Sequence, residues 1–272
     1  MGLNSDKTRL DLADVTLECA WHGPPPDDAP TIVMLHEGLG CVSMWKDFPQ
    51  KLTEATGCGV FVYSRAGYGA SSPVGLPRPI TYQHDAAMEE LPKVLDAIGF
   101  QRGILLGHSD GGSIATIYAG SHNDFRVKGL FLLAPHFMVE DQSVKSIAEA
   151  KIAYETGDLK ARLARHHGDN VNCAFYGWNG VWLNSDYRDW SLENELAHIR
   201  VPITIVQGAD DHYGTPAQLE MAKDEAYCPV ETELVPDCGH SPHVEQLDLV
   251  LDRARQFCAR IWALEKEGAV PA

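Results

Sequence analysis

The chain has 272 residues, of which 44% are hydrophobic and 22% are charged, as in a folded soluble domain with a substantial core. This composition excludes a disordered chain. With 38 acidic and 22 basic residues the formal charge is −16. The electric field of such a charge repels nucleic-acid phosphates and anionic membrane surfaces, so we expect neither as a partner.

The start of the chain has no apolar core of a secretory leader, and no later stretch has enough consecutive apolar residues to span a bilayer. We therefore expect a cytoplasmic protein. The seven cysteines are scattered and form no CxxC pair, which favours reduced thiols.

Along the chain, short apolar runs alternate with amphipathic stretches, a pattern typical of a mostly parallel sheet flanked by helices. Residues 10–19 are more polar and predict an antiparallel edge. The predicted strands that follow are 31–35, 60–64, 104–107, 130–134, 203–208 and 232–235. Several are almost continuous Val, Ile and Leu, as expected of strands covered on both faces.

Two predicted helices carry buried stripes with spacings of three or four residues. One stripe consists of Met88, Leu91, Leu95 and Ile98, and the other of Val244, Leu247, Leu251, Ala254, Cys258 and Ile261. Core packing is a sufficient explanation for both.

Between two predicted strands, residues 137–199 contain no strand-like run and are too long for a simple crossover. We interpret them as an inserted helical cap, with residues 1–136 and 200–272 forming the core domain. Aromatic side chains are concentrated in this insert, and pocket lining and core packing explain them equally well.

Our candidate pocket residues are Glu37, Leu39, His136, Phe175, Trp178 and Trp182. The basic cluster at 160–167 is interpreted as a solvated helix face.

The strand at 104–107 leads into Gly107-His-Ser109-Asp-Gly111 and then a helix. Glycines two residues to either side of a serine permit a tight, strained turn that presents the hydroxyl above the sheet. A Gly-x-Ser-x-Gly run also arises by chance as a small-residue turn, but the flanking strand and helix favour a nucleophile at Ser109.

A serine nucleophile needs a base, and the base needs an orienting acid, in the chain order Ser, Asp or Glu, His. His240 follows the strand at 232–235 and a glycine, so it meets this demand, whereas His243 begins a helix and is interpreted as structural. Asp210 and Asp211 both follow the strand at 203–208, and spacing alone does not separate them.

The tetrahedral oxyanion also needs donors. The loop after the strand at 31–35 is punctuated by glycines, and we predict that the backbone N–H groups of Gly38 and Asp110 form the oxyanion hole. His36 is interpreted as a buried ring that shapes this loop.

Together these segments resemble the α/β-hydrolase superfamily along nearly the whole chain. The resemblance rests on the loop at 36–40, Ser-Arg-Ala-Gly-Tyr-Gly-Ala-Ser at 64–71, the serine turn, the Gly-x-x-Asp acid loop and the Gly-His-x-Pro-His base loop. It implies that Asp211 is the acid and that the insert covers the active site. Glu37 departs from the pattern, because the superfamily commonly has glycine there.

The resemblance implies an acyl-enzyme mechanism on a small-molecule substrate, with no cofactor and no metal. Asp237, Cys238, His240 and His243 lack any recognised zinc spacing. We expect a monomer or homodimer. The preferred function is a serine hydrolase of small to medium carboxylic esters or lactones. The alternatives are a carbon–carbon hydrolase of ring-fission diketones, with Arg65 or the basic cluster holding a carboxylate, and a ligand receptor with slow turnover.

Overall fold

The structure, a computed structural model, describes residues 8–268. Residues 1–7, where the sequence shows no apolar core of a secretory leader, lie outside this range. Its centre is an eight-stranded sheet in the order β1-β2-β4-β3-β5-β6-β7-β8. The strands are β1 Arg9–Asp11, β2 Thr16–His22, β3 Thr31–Leu35, β4 Gly59–Tyr63, β5 Gly103–His108, β6 Val127–Leu133, β7 Ile203–Gly208 and β8 Val230–Val235. Strands β1 and β2 are antiparallel to their neighbours, and β3 to β8 are parallel to one another. This is the predicted fold class, and its antiparallel edge lies where the polar alternation placed it.

Every residue of β3, β4, β5, β6 and β7 is buried, which explains their nearly continuous apolar sequences. The helices are α1 Phe48–Thr56, α2 Tyr82–Asp85, α3 Leu91–Ala97, α4 Asp110–Ser121, α5 Asp141–Thr156, α6 Leu159–His167, α7 Val171–Trp182, α8 Glu193–His198, α9 Ala217–Glu225, α10 Pro242–Glu245 and α11 Leu247–Lys266. Side chains of α1 and α11 share one apolar cluster with the sheet, and those of α3, α4, α8 and α9 share another, so helices cover both faces.

Residues 137–199, called the insert below, join β6 to β7 through helices α5 to α8. A third cluster fills the interior of the insert and includes Tyr154, Phe175 and Trp182, with Tyr82 of α2 packed against them. The insert therefore has packing of its own. The exact bounds assigned to it from the sequence remain a prediction.

The two predicted helical stripes differ from the structure at their first residues. A π-helical turn at Ala86–Glu90 precedes α3 and changes the angular spacing, so Met88 is 38% exposed while Ala87 is buried. Val244 belongs to the separate short helix α10 and is 52% exposed. The later members of both stripes pack against the sheet or at its margin.

Among residues 8–268, no helix has both the length and the apolar character that crossing a membrane requires.

Candidate active site

Ser109 lies at the centre of the sheet, between the end of β5 and the first turn of α4, with backbone angles φ 52° and ψ −119°. This conformation is strained for an L-residue, by about 1–3 kcal/mol. A Cβ atom added at Gly111 would lie 2.0 Å from the Leu35 carbonyl oxygen, and one added at Gly107 would lie 2.3 Å from the Gly111 carbonyl oxygen. The two glycines are therefore required for the turn to fit against the strand ends.

Ser109, His240 and Asp211 form a continuous hydrogen-bonded chain. The Ser109 hydroxyl lies 2.9 Å from His240 Nε2, and His240 Nδ1 lies 2.8 Å and 2.9 Å from the two carboxylate oxygens of Asp211. The Asp211 carboxylate also accepts the backbone N–H groups of Tyr213 and Gly214. Asp210 is exposed and makes no side-chain hydrogen bond with His240. The geometry thus separates two acids that spacing alone left equal.

Burial keeps the His240 ring neutral. It is the main reason that the pKa of His240 falls to about 4, with nearby His108 and His136 adding to the fall and Asp211 opposing it. Burial also opposes the charge of Asp211, but the hydrogen bond and charge of His240 outweigh it and hold the pKa of Asp211 below its usual value. At neutral pH the pair is therefore a neutral imidazole oriented by a carboxylate, which can accept the serine proton.

Gly38 and Asp110, whose backbone N–H groups are the predicted oxyanion donors, line the same small cavity as Ser109. Asp110 is the first residue of α4, so its N–H has no acceptor within the helix. Hydrogen bonds from Arg65 and His36 stabilise the loop that carries Gly38. The Arg65 guanidinium donates to the carbonyl oxygens of His36 and Glu37 at 2.6 and 3.2 Å, and the His36 ring bonds backbone on both sides. His36 and Arg65 thus fix the loop without touching the reacting atoms.

Glu37 is connected to the base through His108, a contact that the sequence did not reveal. The His108 Nε2–H donates to the backbone carbonyl oxygen of His240 at 2.8 Å, and His108 Nδ1 lies 3.4 Å from the Glu37 carboxylate. Burial opposes the charges of both, yet their mutual attraction prevails and raises the pKa of His108 while lowering that of Glu37. The pair therefore contacts the backbone of His240, whereas Asp211 contacts its ring.

The side chain of Asp110 joins the serine turn to the insert. The Tyr82 hydroxyl donates to one carboxylate oxygen, and Trp182 Nε1 lies 3.2 Å from the other and 3.0 Å from the Tyr82 oxygen. Burial is the main cause that raises the pKa of Asp110, with Arg65 opposing it. A helix of the insert is thus tied directly to the residue beside the nucleophile.

Comparison with known proteins agrees with this architecture. The sequence model described as "Alpha/beta hydrolase family" matches residues 32–253, most of the chain. The chain belongs to the α/β-hydrolase family.

Among curated members of this hydrolase family, a proline iminopeptidase of Lactobacillus crispatus (strain ST1) is 22% identical over 263 residues, covering 83% of this chain and 89% of the relative. Among solved structures, the esterase RhEst1 from Rhodococcus sp. ECU1013 has a TM-score of 0.71 at 18% identity and covers 95% of this chain and 100% of its own. The enol-lactonase from Burkholderia xenovorans LB400 has a TM-score of 0.70 at 20% identity and covers 92% of this chain and 99% of its own. At these identities the structural likeness establishes the fold.

The hydrolase site opens into a small cavity of about 90 Å³ next to Ser109. Its lining is Glu37, Gly38, Leu39, Ser109, Asp110, His136, Ile147, Trp178, Trp182, Tyr213 and His240. Five of the six pocket residues expected from the sequence are in this set. Phe175 is not, because its ring stacks on Tyr154 at 3.7 Å in the interior of the insert.

Other candidates lie away from the cavity. Lys160, Arg162, Arg165 and His166 are exposed, whereas the buried His167 bonds the backbone of Gly69 and Leu39. His243 packs its ring on Trp45 at 4.9 Å, and burial is the main cause that lowers its pKa to about 3. In the described part of the chain, no three His, Cys, Asp or Glu side chains are arranged to hold a metal ion.

Four residues of the site were missed from the sequence: His108, Tyr82, Tyr213 and Ile147. His108 carried a signal, since it adjoins Ser109 inside the motif. The other three lie far from the motifs along the chain, and no spacing rule points to them.

Proposed function

We propose that the protein is a serine hydrolase that cleaves short-chain carboxylic esters or lactones through an acyl-enzyme on Ser109. The observation that carries this proposal is the hydrogen-bonded chain from Asp211 through His240 to Ser109, ending at a cavity whose walls are mainly aromatic and aliphatic. Structural neighbours named as an esterase and an enol-lactonase support the same class of reaction.

In the proposed mechanism, His240 Nε2 takes the Ser109 proton as the oxygen attacks the carbonyl carbon. The Asp211 carboxylate stabilises the imidazolium, and the N–H groups of Gly38 and Asp110 donate to the developing oxyanion. His240 then protonates the leaving alcohol, which departs as the acyl-enzyme forms. In the second half His240 deprotonates water, and the tetrahedral intermediate collapses to release the acid and the serine.

The size of the cavity supports a small acyl group. Ligand pockets for drug-sized molecules typically measure about 300–1,000 Å³, whereas this cavity measures about 90 Å³. The indole of Trp178 limits it on one side, because a Cβ atom added at Gly38 would lie only 2.3 Å from that ring. We therefore expect acyl chains of a few carbon atoms to fit.

The test is a p-nitrophenyl ester series from acetate to octanoate, together with small lactones, on the wild type and on Ser109→Ala. We expect the highest kcat/KM for the shortest acyl chains and a loss of about 10³-fold or more in the variant. A matched control is Ser113→Ala. Ser113 lies in α4, and its hydroxyl donates to the backbone carbonyl oxygen of His136 and not to His240. Equal rates in wild type and Ser109→Ala would contradict the proposal.

A second candidate is an aminopeptidase, favoured by one specific observation. The Glu37 carboxylate lines the cavity, and interactions with His108 lower its pKa, so it carries a negative charge near the nucleophile. Such a charge suits the α-amino group of a substrate, and several relatives are named proline iminopeptidases. Proline and alanine p-nitroanilides test this candidate, because faster cleavage of these amides than of the matched esters would favour it. We rank it second because His108 already partners Glu37.

The carbon–carbon hydrolase alternative would gain support from a cation in the pocket. Arg65 lies behind the loop at 36–40 and bonds its carbonyl groups, while the charged cluster of α6 is exposed. The acidic residues Glu37 and Asp110 line the cavity, and the lowered pKa of Glu37 favours a negative charge that would repel a dienoate carboxylate. The receptor alternative predicts negligible turnover in the ester series, so the same assay tests it.

A further inference from the structure

His136 is a buried cavity residue that the mechanism above does not use. It follows β6 and is 3% exposed. Its Nε2 lies 3.1 Å from the backbone carbonyl oxygen of Tyr213, and because a carbonyl only accepts, this nitrogen carries the proton. In the neutral ring, Nδ1 is therefore a hydrogen-bond acceptor.

Nδ1 of His136 has no partner within residues 8–268, although it is fully buried. The neighbouring rings provide none. Trp182 meets the imidazole edge-on at 5.1 Å, and the ring of His240 lies 5.6 Å away and is committed to Ser109 and Asp211. Buried polar atoms are normally satisfied, so an orphan acceptor beside a catalytic cavity indicates a donor that arrives with the ligand.

The residue that carries this acceptor lines the same cavity as Ser109. At about 90 Å³ the cavity admits only a few heavy atoms, and both His136 and Ser109 line it. After the alcohol departs, the acyl group remains attached to Ser109. The acyl group is therefore the part of the substrate that stays in contact with the lining.

We propose that His136 is a specificity-determining residue that accepts a hydrogen bond from a hydroxyl group on a short acyl chain, so that the preferred substrates are esters of small hydroxy acids. This inference rests on the proposed ester hydrolysis and deepens it. The hydroxyl satisfies Nδ1, whereas an acyl group without a donor leaves the buried acceptor unpaired.

The experiment compares kcat/KM for ethyl lactate, as each enantiomer, with kcat/KM for ethyl propionate, in the wild type and in His136→Phe. The two acyl groups differ by one hydroxyl. Because the lactate-to-propionate ratio of kcat/KM is compared between the two proteins, the different intrinsic reactivities of the esters cancel. Phenylalanine keeps a ring but removes the acceptor. The Tyr213 carbonyl retains its 2.6 Å hydrogen bond from Ser143, so its loop keeps a partner.

We expect the lactate-to-propionate ratio, for at least one enantiomer, to fall by about tenfold or more in His136→Phe. Ile147→Val is the matched control, since it changes the shape of the same cavity without changing an acceptor and is expected to affect both esters alike. If His136→Phe does not accumulate as a folded protein, His136→Leu provides the same comparison.

An unchanged ratio, with both esters slowed equally, would overturn the specificity role and leave His136 a structural residue. The proposal would also be overturned if His136→Phe changed the ratio of kcat/KM for ethyl alaninate to that for ethyl propionate but left the lactate-to-propionate ratio unchanged. That result would indicate that the site recognises an amino group through Glu37. These failures are distinguishable from failure of the proposed function. If Ser109→Ala abolishes hydrolysis of ethyl propionate while the ratio is unchanged, only the inference fails; if the wild type hydrolyses none of these esters, both fail.

Discussion

Two adjacent carboxylates follow β7, and only the second reaches the base. The Asp211 side chain is buried and bonded to His240 Nδ1 and to two backbone N–H groups, whereas Asp210 is exposed. A loss of Asp211 would leave His240 without the acceptor that fixes its orientation and tautomer. The difference between the neighbours provides a paired test.

Asp211→Asn is expected to lower kcat by about 10⁴-fold, because the amide cannot stabilise the imidazolium and favours the wrong tautomer. Asp210→Asn is expected to leave kcat within about threefold, as for a typical exposed substitution. Steady-state kinetics on a p-nitrophenyl ester measure both. A larger loss in Asp210→Asn would contradict the assignment of the acid.

The pH dependence of kcat/KM follows from the state of His240. In the proposed mechanism the neutral ring is the base, so kcat/KM falls as pH decreases through the pKa of His240, which burial and nearby histidines lower from 6.5 to about 4. We expect kcat/KM to change little between about pH 6 and 8. Circular dichroism at each pH defines the range in which the fold is intact. A midpoint at or above 6.5 would show that the base is not the desolvated His240 ring.

At the scale of elements, helix α7 connects the insert to the site. Its Trp182 bonds Asp110, and its Trp178 lies against Gly38 and narrows the cavity. The helix therefore contacts both residues proposed as oxyanion donors and limits the space available to the acyl group. Phe175, on the same helix, packs inward on Tyr154 instead.

Trp178→Ala is expected to raise the ratio of kcat/KM for octanoate to that for acetate by about tenfold or more, since each added methylene gains apolar contact once the indole is gone. Tyr176→Ala is the control. It removes another large ring of α7, one that is 37% exposed and does not line the cavity. Equal chain-length profiles in wild type and Trp178→Ala would show that α7 does not limit the acyl group.

These contacts explain why the sequence predicted some features of the site and not others. The serine turn, His240 and the Gly38 loop follow strand ends, and strands show in the sequence as buried apolar runs. The bonds from Tyr82 and Trp182 to Asp110, and from His108 to the His240 carbonyl, join positions 28 to 132 residues apart. Helical spacing shows only that a residue is buried, so Phe175 and Trp178 looked alike although one packs inward and the other faces the cavity.

For the whole molecule, the order of strands decides the site. Strand β5 is flanked by β3 and β6, and β7 and β8 follow on the same side as β6. The carboxyl ends of these parallel strands meet at one edge, where the loops carrying Gly38, Ser109, His136, Asp211 and His240 converge. The sequence predicted the parallel class through its buried strands. The size of the cavity depends on side chains from the insert, and the periodicity of the sequence does not predict how those side chains pack.

The thiols provide a test of the whole fold. Within residues 8–268, the seven cysteines are buried and no disulfide joins any two of them. In the absence of reductant, we expect a thiol reagent to titrate seven groups in the denatured protein and few in the native protein. Five groups or fewer after denaturation would reveal a disulfide that this arrangement does not contain.

The nucleophilic role of Ser109 is tested most directly by an irreversible trap. Diethyl p-nitrophenyl phosphate reacts with an activated serine, and intact and peptide mass spectrometry locate the adduct. We expect a single diethylphosphoryl group on Ser109, appearing in proportion to the loss of ester hydrolysis and absent from Ser109→Ala. Undiminished hydrolysis by protein that is fully labelled on Ser109 or by Ser109→Ala, or a loss of hydrolysis with the label on another residue, would contradict this role.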